Sequence, residues 1–183
     1  YDSANGVGQR RAQALKDAGV PIVGMEPSCT ATLRSDASGL LGAPATEAVV
    51  SRVRTLAELL TERRWAPPDL TGTTVVAQPH CHHHAVMGWD TDAALLSAAG
   101  AEVTRLGGCC GLAGNFGVEK GHYEVSLAVA DQHLLPAVRA ADDAAVVLAD
   151  GYSCRTQLAD LTERRGVHLA QLLAGATVDV CPR

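Results

Sequence analysis

Hydrophobic and polar positions along the chain predict short strands that alternate with helices. Four short runs of apolar and β-branched residues are typical of strands. They occupy residues 21–25 (PIVGM), 73–78 (TTVVAQ), 102–106 (EVTRL) and 144–149 (AAVVLA). Apolar residues at three- to four-residue spacing, as on one face of a helix, follow each run. Strands and helices in this order predict an α/β fold, with parallel-type strands flanked by helices.

The helical segments end at glycine or proline, which interrupt the apolar periodicity. We predict helices over residues 7–19, 30–41, 44–64, 92–99, 119–140, 155–164 and 168–174. Thr46 is the expected cap of the helix at 44–64, and Asp90 and Asp92 are expected caps of the helix at 92–99. Pro136 predicts a kink or a break within 119–140.

Sequence similarity between two segments suggests that the chain contains two related units. Residues 21–33 and 145–158 each comprise an apolar strand, a short turn, Ser-Cys and a leucine four residues after the cysteine. We place a boundary at Pro67-Pro68, so that 1–66 is the end of a truncated first unit and 67–183 is a complete second unit. Chance similarity of two strand–turn–helix segments is the alternative. Because the chain begins at Tyr1, we expect a longer parent protein.

Composition excludes several classes of function. The formal charge of −5 argues against a nucleic-acid surface, which would require a basic face. No run of about 18 apolar residues is present, so the sequence predicts no membrane span. The six cysteines are not needed as disulfide staples in a chain with 47% hydrophobic residues. We therefore expect a reduced, cytoplasmic setting, in which any contact with a membrane is made through partners.

The cysteines point to a shared site. Cys109 and Cys110 are adjacent, and their Cα atoms, about 3.8 Å apart, are too close for an ordinary disulfide. Together with Cys81 and Cys154 they follow three successive predicted strands, whose carboxyl ends share one rim of a parallel sheet. Thiolates at such a rim suit an iron–sulfur cluster or zinc. Metal-free redox thiols and simple buried cysteines remain alternatives.

The glycines around this pair predict a tight turn. Gly108, Gly111 and Gly114 bring backbone amides towards the sulfur atoms, where they would form a cofactor-binding loop. Neither G-x-G-x-x-G nor a phosphate-binding P-loop occurs in the sequence, so nothing here predicts a nucleotide site.

Three motifs together resemble a known family. The runs GGCCGLAGNFG (107–117), PHCH (79–82) and DGYSCRTQL (150–158) are similar to the cysteine-rich CCG domain. This domain occurs in one of the subunits of heterodisulfide reductase, in the iron–sulfur subunit of glycolate oxidase and in FAD-linked oxidases of 2-hydroxy acids. The resemblance covers about residues 70–175 as a complete copy, and through EPSC (26–29) it reaches the tail of a first copy.

The resemblance implies a set of ligands. Cys81 matches the leading cysteine of the family pattern, Cys109 and Cys110 match the central pair, and Cys154 matches the last cysteine. Cys29 would belong to the site of the first unit. Gly151 stands where heterodisulfide reductases have a fifth cysteine, as it does in the branch similar to glycolate oxidase.

His82, within PHCH, is our first choice for a replacement ligand. The resemblance also implies a function: the iron–sulfur electron-transfer region of a flavin-linked 2-hydroxy-acid dehydrogenase or oxidase, with a [4Fe–4S] cluster. FAD would lie on another domain or subunit, and a flavin-binding domain and a ferredoxin-like domain would be the partners. The alternatives are a structural zinc module that mediates contact between subunits, and a thiol/disulfide redox domain of the heterodisulfide reductase type.

Overall fold

The computed structural model describes residues 19–175 and, before them, Ala14. The helix predicted over residues 7–19 therefore lies almost entirely outside the described residues, and Cys181 lies outside them as well. In the described part of the chain, none of the helices is long and apolar enough to cross a membrane.

Two small parallel sheets form the framework. In the first, β1 (Ile22–Gly24) pairs with β2 (Val53–Thr55). In the second, β3 (Thr74–Ala77) lies between β4 (Glu102–Arg105) and β5 (Val146–Leu148), with strand order β4-β3-β5. The α/β class with parallel strands flanked by helices is confirmed. The division into two related units, at the irregular segment that contains Pro67-Pro68, stays a prediction.

Helices connect and cover the strands. They are α1 (Pro27–Ala31), α2 (Ala37–Leu41), α3 (Ala43–Val50), α4 (Leu56–Glu62), α5 (Asp90–Ala98), α6 (Tyr123–Ala130), α7 (Leu134–Ala140), α8 (Tyr152–Leu161) and α9 (Leu169–Leu173). Within residues 19–175, two π-helical turns, Thr32–Asp36 and His83–Met87, and a 3₁₀ turn, Phe116–Val118, complete the helical structure.

Small aliphatic side chains fill the core on both sides of the three-stranded sheet. One cluster includes Val75, Leu96 and Leu169, all nearly inaccessible to solvent. The other includes Leu134 and Leu158 and also contains Cys110 and Cys154. Two of the candidate ligands are therefore anchored in the hydrophobic core.

The long helix predicted over 44–64 is wrong, because a strand divides it. Val53 is 1% exposed and pairs with Ile22 in the parallel sheet. Thr46 does not cap a helix but donates a hydrogen bond to the Gly42 carbonyl (2.9 Å) within α3. Thr55 is the cap of α4 instead. Helical periodicity continues through Val53–Thr55, so the pairing with β1 decides its conformation.

The helix predicted over 119–140 is also divided, but the break lies before Pro136. Helix α6 ends at Ala130, and α7 begins at Leu134. Pro136 is the third residue of α7, where a backbone N–H would have no partner inside the helix. The proline is therefore accommodated in the first turn and causes no kink.

A capping box fixes the start of α4. The Thr55 hydroxyl accepts a hydrogen bond from the Glu58 amide (3.2 Å), and the Glu58 carboxylate accepts one from the Thr55 amide (2.7 Å). Arg34 also donates to this carboxylate. Burial works to raise the pKa of Glu58, but the hydrogen bonds from Arg34 and Thr55 outweigh it, so the pKa is lowered.

We expect Glu58→Gln to lower the free energy of unfolding by about 1 kcal/mol at neutral pH. The folded-state pKa of Glu58 lies below its unfolded value. The carboxylate therefore stabilises the fold above pH of about 4.3, and this contribution is lost as the pH falls through the folded-state pKa. Urea unfolding of both proteins at several pH values checks this. Glu62→Gln, at an exposed ion pair with Arg54, is the control and should have little effect.

Candidate metal centre

Three loops carry the candidate ligands to one edge of the second sheet. Cys81 begins the turn that follows β3, and Cys109 and Cys110 follow β4. Cys154 lies in the first turn of α8, which follows β5. Because these three strands are adjacent and parallel, their carboxyl ends meet at the same edge.

The four thiols are near neighbours. Electrostatic interactions link Cys109 with Cys81 and with Cys110, and they link Cys110 with Cys154. Cys110 and Cys154 are buried, Cys109 is half-buried and Cys81 is exposed. The group thus has an anchored side in the core and an open side at Cys81.

These interactions lower the pKa of one thiol and raise the pKa of two others. Hydrogen bonds from Cys110 and Cys81 hold the pKa of Cys109 far below its usual range, and the Gly111 amide adds to this effect. The hydrogen bond to Cys109 raises the pKa of Cys81, and burial adds to it. Hydrogen bonds to Cys109 and Cys154 raise the pKa of Cys110, again with burial. Metal ions hold their cysteine ligands as thiolates, so a bound cation would remove this difference between the thiols.

The glycine loop is tied to its neighbours by specific hydrogen bonds. The buried Gln78 amide donates to the Gly108 carbonyl (3.2 Å), and this bond joins the loop after β3 to the loop after β4. The Gly114 amide donates to the Ser153 hydroxyl (3.3 Å), which joins the glycine loop to α8. The loops are therefore linked around the thiols.

Among the three predicted glycines, Gly111 makes the direct contact with sulfur. Its amide donates to Cys109 Sγ at 3.3 Å. Gly111 has φ +93°, and an added Cβ would lie 2.2 Å from the Ser126 carbonyl oxygen of α6. At Gly108, which has φ +78°, the ring of His133 likewise leaves little room for a Cβ. The cofactor-binding role of Gly108, Gly111 and Gly114 stays a prediction.

His80, which our sequence reasoning did not single out, is the buried histidine next to this site. It is 6% exposed, and burial lowers the pKa of its imidazole. A Cβ on Gly151 would lie 2.2 Å from His80 Cδ2, so the imidazole occupies the space that a side chain at position 151 would need. His82 is exposed, and its backbone amide donates to His80 Nδ1 (3.2 Å). The sequence does contain one indication of this arrangement: Gly151 stands at a cysteine position of the family pattern, which leaves space for another side chain.

The first sheet also contributes to the edge of the site. Glu26, just after β1, accepts hydrogen bonds from the Tyr152 amide (2.8 Å) and from the Ser28 hydroxyl (2.8 Å). Cys29 lies in α1 and is exposed. The EPSC segment therefore packs against the start of α8, which carries Cys154.

Neither Asp90, the first residue of α5, nor Asp92 is the helix cap that we predicted. Trp89 is the residue before the first turn of α5, and Asp92 is 2% exposed with its carboxylate 3.4 Å from the imidazole of His83. This histidine and this aspartate were both missed as functional candidates. Their burial depends on tertiary packing, and no local pattern indicates it.

An open groove extends from the exposed thiol. It has a volume of about 490 Å³, and its lining residues include Cys81, His84, Arg105 and Gly108. A partner or a small molecule could reach Cys81 from this side.

Part of the chain matches a known protein family. Residues 91–159 match the CCG family, which is described as a cysteine-rich domain. The resemblance inferred from the motifs is confirmed. The matched segment contains Cys109, Cys110 and Cys154, and Cys81 lies before it.

The chain is also similar to two bacterial dehydrogenases. It is 30% identical to D-2-hydroxyglutarate dehydrogenase of Pseudomonas putida over 161 residues, which are 85% of this chain and 15% of the relative. It is 30% identical to a subunit of the anaerobic glycerol-3-phosphate dehydrogenase of Escherichia coli K12 over 175 residues, which are 91% of this chain and 42% of the relative. The chain thus spans less than half of either relative. No solved structure matches it.

Proposed function

We propose that this chain is the iron–sulfur electron-transfer region of a flavin-linked dehydrogenase or oxidase of 2-hydroxy acids. Cys81, Cys109, Cys110 and Cys154 would hold a [4Fe–4S] cluster. The observation that carries the proposal is the contact between these four thiols, which come from three loops at one edge of a parallel sheet.

The four cysteine sulfur atoms are suitable ligands for an iron–sulfur cluster. Four sulfur atoms are the usual ligands of an iron–sulfur cluster. A bound cluster would supply one-electron transfer. Cys110 and Cys154 would hold it from the core, and Cys81 would hold it at the exposed side. The Gly111 amide, which already donates to Cys109 Sγ, would lower the negative charge on sulfur and so raise the reduction potential.

The partners follow from the relatives and from the open side of the site. The two relatives bear names of dehydrogenases, and both are much longer than this chain. We propose that a flavin-binding domain or subunit, which carries FAD, delivers electrons, and that a ferredoxin-like domain lies nearby in the parent protein. The groove beside Cys81 is the accessible approach. A cytoplasmic location is part of this proposal.

Two alternatives use the same residues. Four thiolates also suit a tetrahedral zinc ion, which would make this a structural module that mediates contact between subunits. The lowered pKa of Cys109 favours a metal-free thiol/disulfide domain of the heterodisulfide reductase type, since a thiolate is the attacking species in disulfide exchange.

Iron and acid-labile sulfide measured on anaerobically purified protein test the proposal. We expect about four iron and four sulfide per chain, and a loss of most of both in Cys109→Ser. Cys181→Ser is the matched control, because Cys181 is the cysteine that belongs to neither proposed ligand set, and it should leave both values unchanged. Zinc without sulfide would establish the structural alternative. A reactive Cys109 thiol in a metal-free protein would establish the thiol/disulfide alternative.

A further inference from the structure

A second group of possible metal ligands lies in the interior, apart from the thiols. It comprises His83 in the π-helical turn after Cys81, Asp92 in α5 and Asp150 just after β5. Their exposed fractions are 3%, 2% and 9%. One candidate ligand atom from each residue lies within 4.8 Å of the other two. Three separate segments of the chain thus bring nitrogen and oxygen ligands to one buried point.

The imidazole of His83 has no ordinary partner. Neither ring nitrogen makes a hydrogen bond within residues 19–175. Nε2 instead faces Asp92 Oδ2 at 3.4 Å. An unpaired polar group in the interior is costly, and native proteins rarely leave one without a function. The orientation of His83 towards two carboxylates is what a metal ligand requires.

His168 makes no hydrogen bond to these carboxylates. Its Nδ1 lies 3.7 Å from Asp150 Oδ1, but it accepts a hydrogen bond from the Ala170 amide (3.0 Å). Its Nε2 is 2.9 Å from the Met25 carbonyl oxygen, to which only a protonated nitrogen can bond. Both ring nitrogens of His168 are thus taken up by backbone groups, and neither is hydrogen-bonded to Asp150.

Arg155 does not neutralise the group. Its guanidinium donates to the backbone carbonyls of Ala149 (3.2 Å) and Asp150 (2.6 Å). Asp150 Oδ1 accepts a hydrogen bond from the Leu169 amide (2.7 Å), and the two buried carboxylates lie around the single imidazole of His83. Buried charges are stable when they are paired or when they coordinate a metal ion.

We propose that His83, Asp92 and Asp150 form a binding site for a divalent transition-metal ion such as Zn²⁺. One imidazole nitrogen and two carboxylate oxygens are three ligands of the type that zinc accepts. Ligands about 2.0–2.2 Å from an ion lie up to about 4 Å from one another. Small side-chain movements are therefore enough to close the site.

The surrounding cavity is suited to a single small ion. Its volume is about 10 Å³, which is close to the space that one water-sized body needs. Met25, Thr30 and Thr55 line it from the first sheet, and Asp150 and Leu169 line it from the second. An ion held here would thus also join the two sheets, a role independent of the thiol site.

Cobalt(II) titration of the 183-residue chain tests the proposal. We use Cys109→Ser/Cys110→Ser as the background, so that the result does not depend on the proposed iron–sulfur site. We expect one Co²⁺ per chain, with visible bands typical of nitrogen and oxygen ligands and without sulfur charge-transfer absorption. Asp92→Asn should weaken binding at least about tenfold, as should Asp150→Asn. The matched control is Asp90→Asn, an exposed aspartate in the first turn of the same helix, which should bind normally.

Thermal unfolding supplies a second readout. Added Zn²⁺ should raise the melting temperature of the background protein and of Asp90→Asn, but not that of Asp92→Asn. The proposal is overturned if the background binds no cobalt, or if binding is the same in Asp92→Asn and Asp150→Asn as in the background. If the double cysteine variant does not fold, the single variant Cys109→Ala serves as the background, and the same losses in the aspartate variants are expected.

Discussion

Gly111→Ala is expected to lower the free energy of unfolding by about 3 kcal/mol or more, a large part of the stability of an ordinary domain. Gly111 has φ +93°, which costs a residue with a Cβ about 1–2 kcal/mol. The added Cβ would also lie 2.2 Å from the Ser126 carbonyl oxygen and 3.3 Å from the Ala130 amide nitrogen. Both are backbone atoms of α6, so the clash cannot be relieved by rotation of a side chain.

Gly114→Ala separates the two causes of the expected destabilisation, the positive φ and the steric contact with α6. Gly114 lies in the same loop with φ +73°, but an added Cβ would meet nothing within 4 Å. This variant should lose only the backbone contribution, about 1–2 kcal/mol. Urea unfolding of the three proteins measures the difference. Equal losses in the two variants would contradict the close packing of Gly111 against α6.

The same position bears on the thiol site. The Gly111 amide contacts Cys109 Sγ, so displacement of the loop would move this donor away from the sulfur. In Gly111→Ala we therefore also expect less bound iron than in Gly114→Ala at equal protein concentration.

Much of the second sheet was predictable because its signals are local. The apolar runs at 73–78, 102–106 and 144–149 each contain a strand of the structure. Parallel order then places the residues that follow them at one edge, which is why Cys81, Cys109 and Cys154 could be grouped from the sequence alone.

Other features could not be predicted, because long-range packing determines them. Val53–Thr55 fits the helical periodicity of its surroundings and becomes a strand only because β1 lies beside it. Asp92 has the sequence position of a first-turn acid and is nonetheless buried against His83. Within HCHHH (80–84) the sequence offered four nearly equivalent histidines, and burial distinguishes His80 and His83 from the others.

Restoring a cysteine at position 151 is expected to fail unless His80 is removed as well. In Gly151→Cys the new Cβ would lie 2.2 Å from His80 Cδ2 and 2.9 Å from Cγ. Overpacking of this kind costs about 1–3 kcal/mol. His80→Ala alone would leave a cavity and also be destabilising. In the double variant each change relieves the other, so we expect a favourable coupling energy of about 1–3 kcal/mol in a double-mutant cycle.

His82→Ala is the matched control, because His82 is a nearby histidine that is exposed. It should not rescue Gly151→Cys, and the coupling energy of that pair should be close to zero. Additive losses for His80→Ala and Gly151→Cys would show that the imidazole does not occupy this space. A rescued double variant that also retains iron and sulfide would show that the site accepts the five-cysteine pattern implied by the resemblance to heterodisulfide reductases. His80 would then be the side chain that, in this chain, takes the space of the missing cysteine.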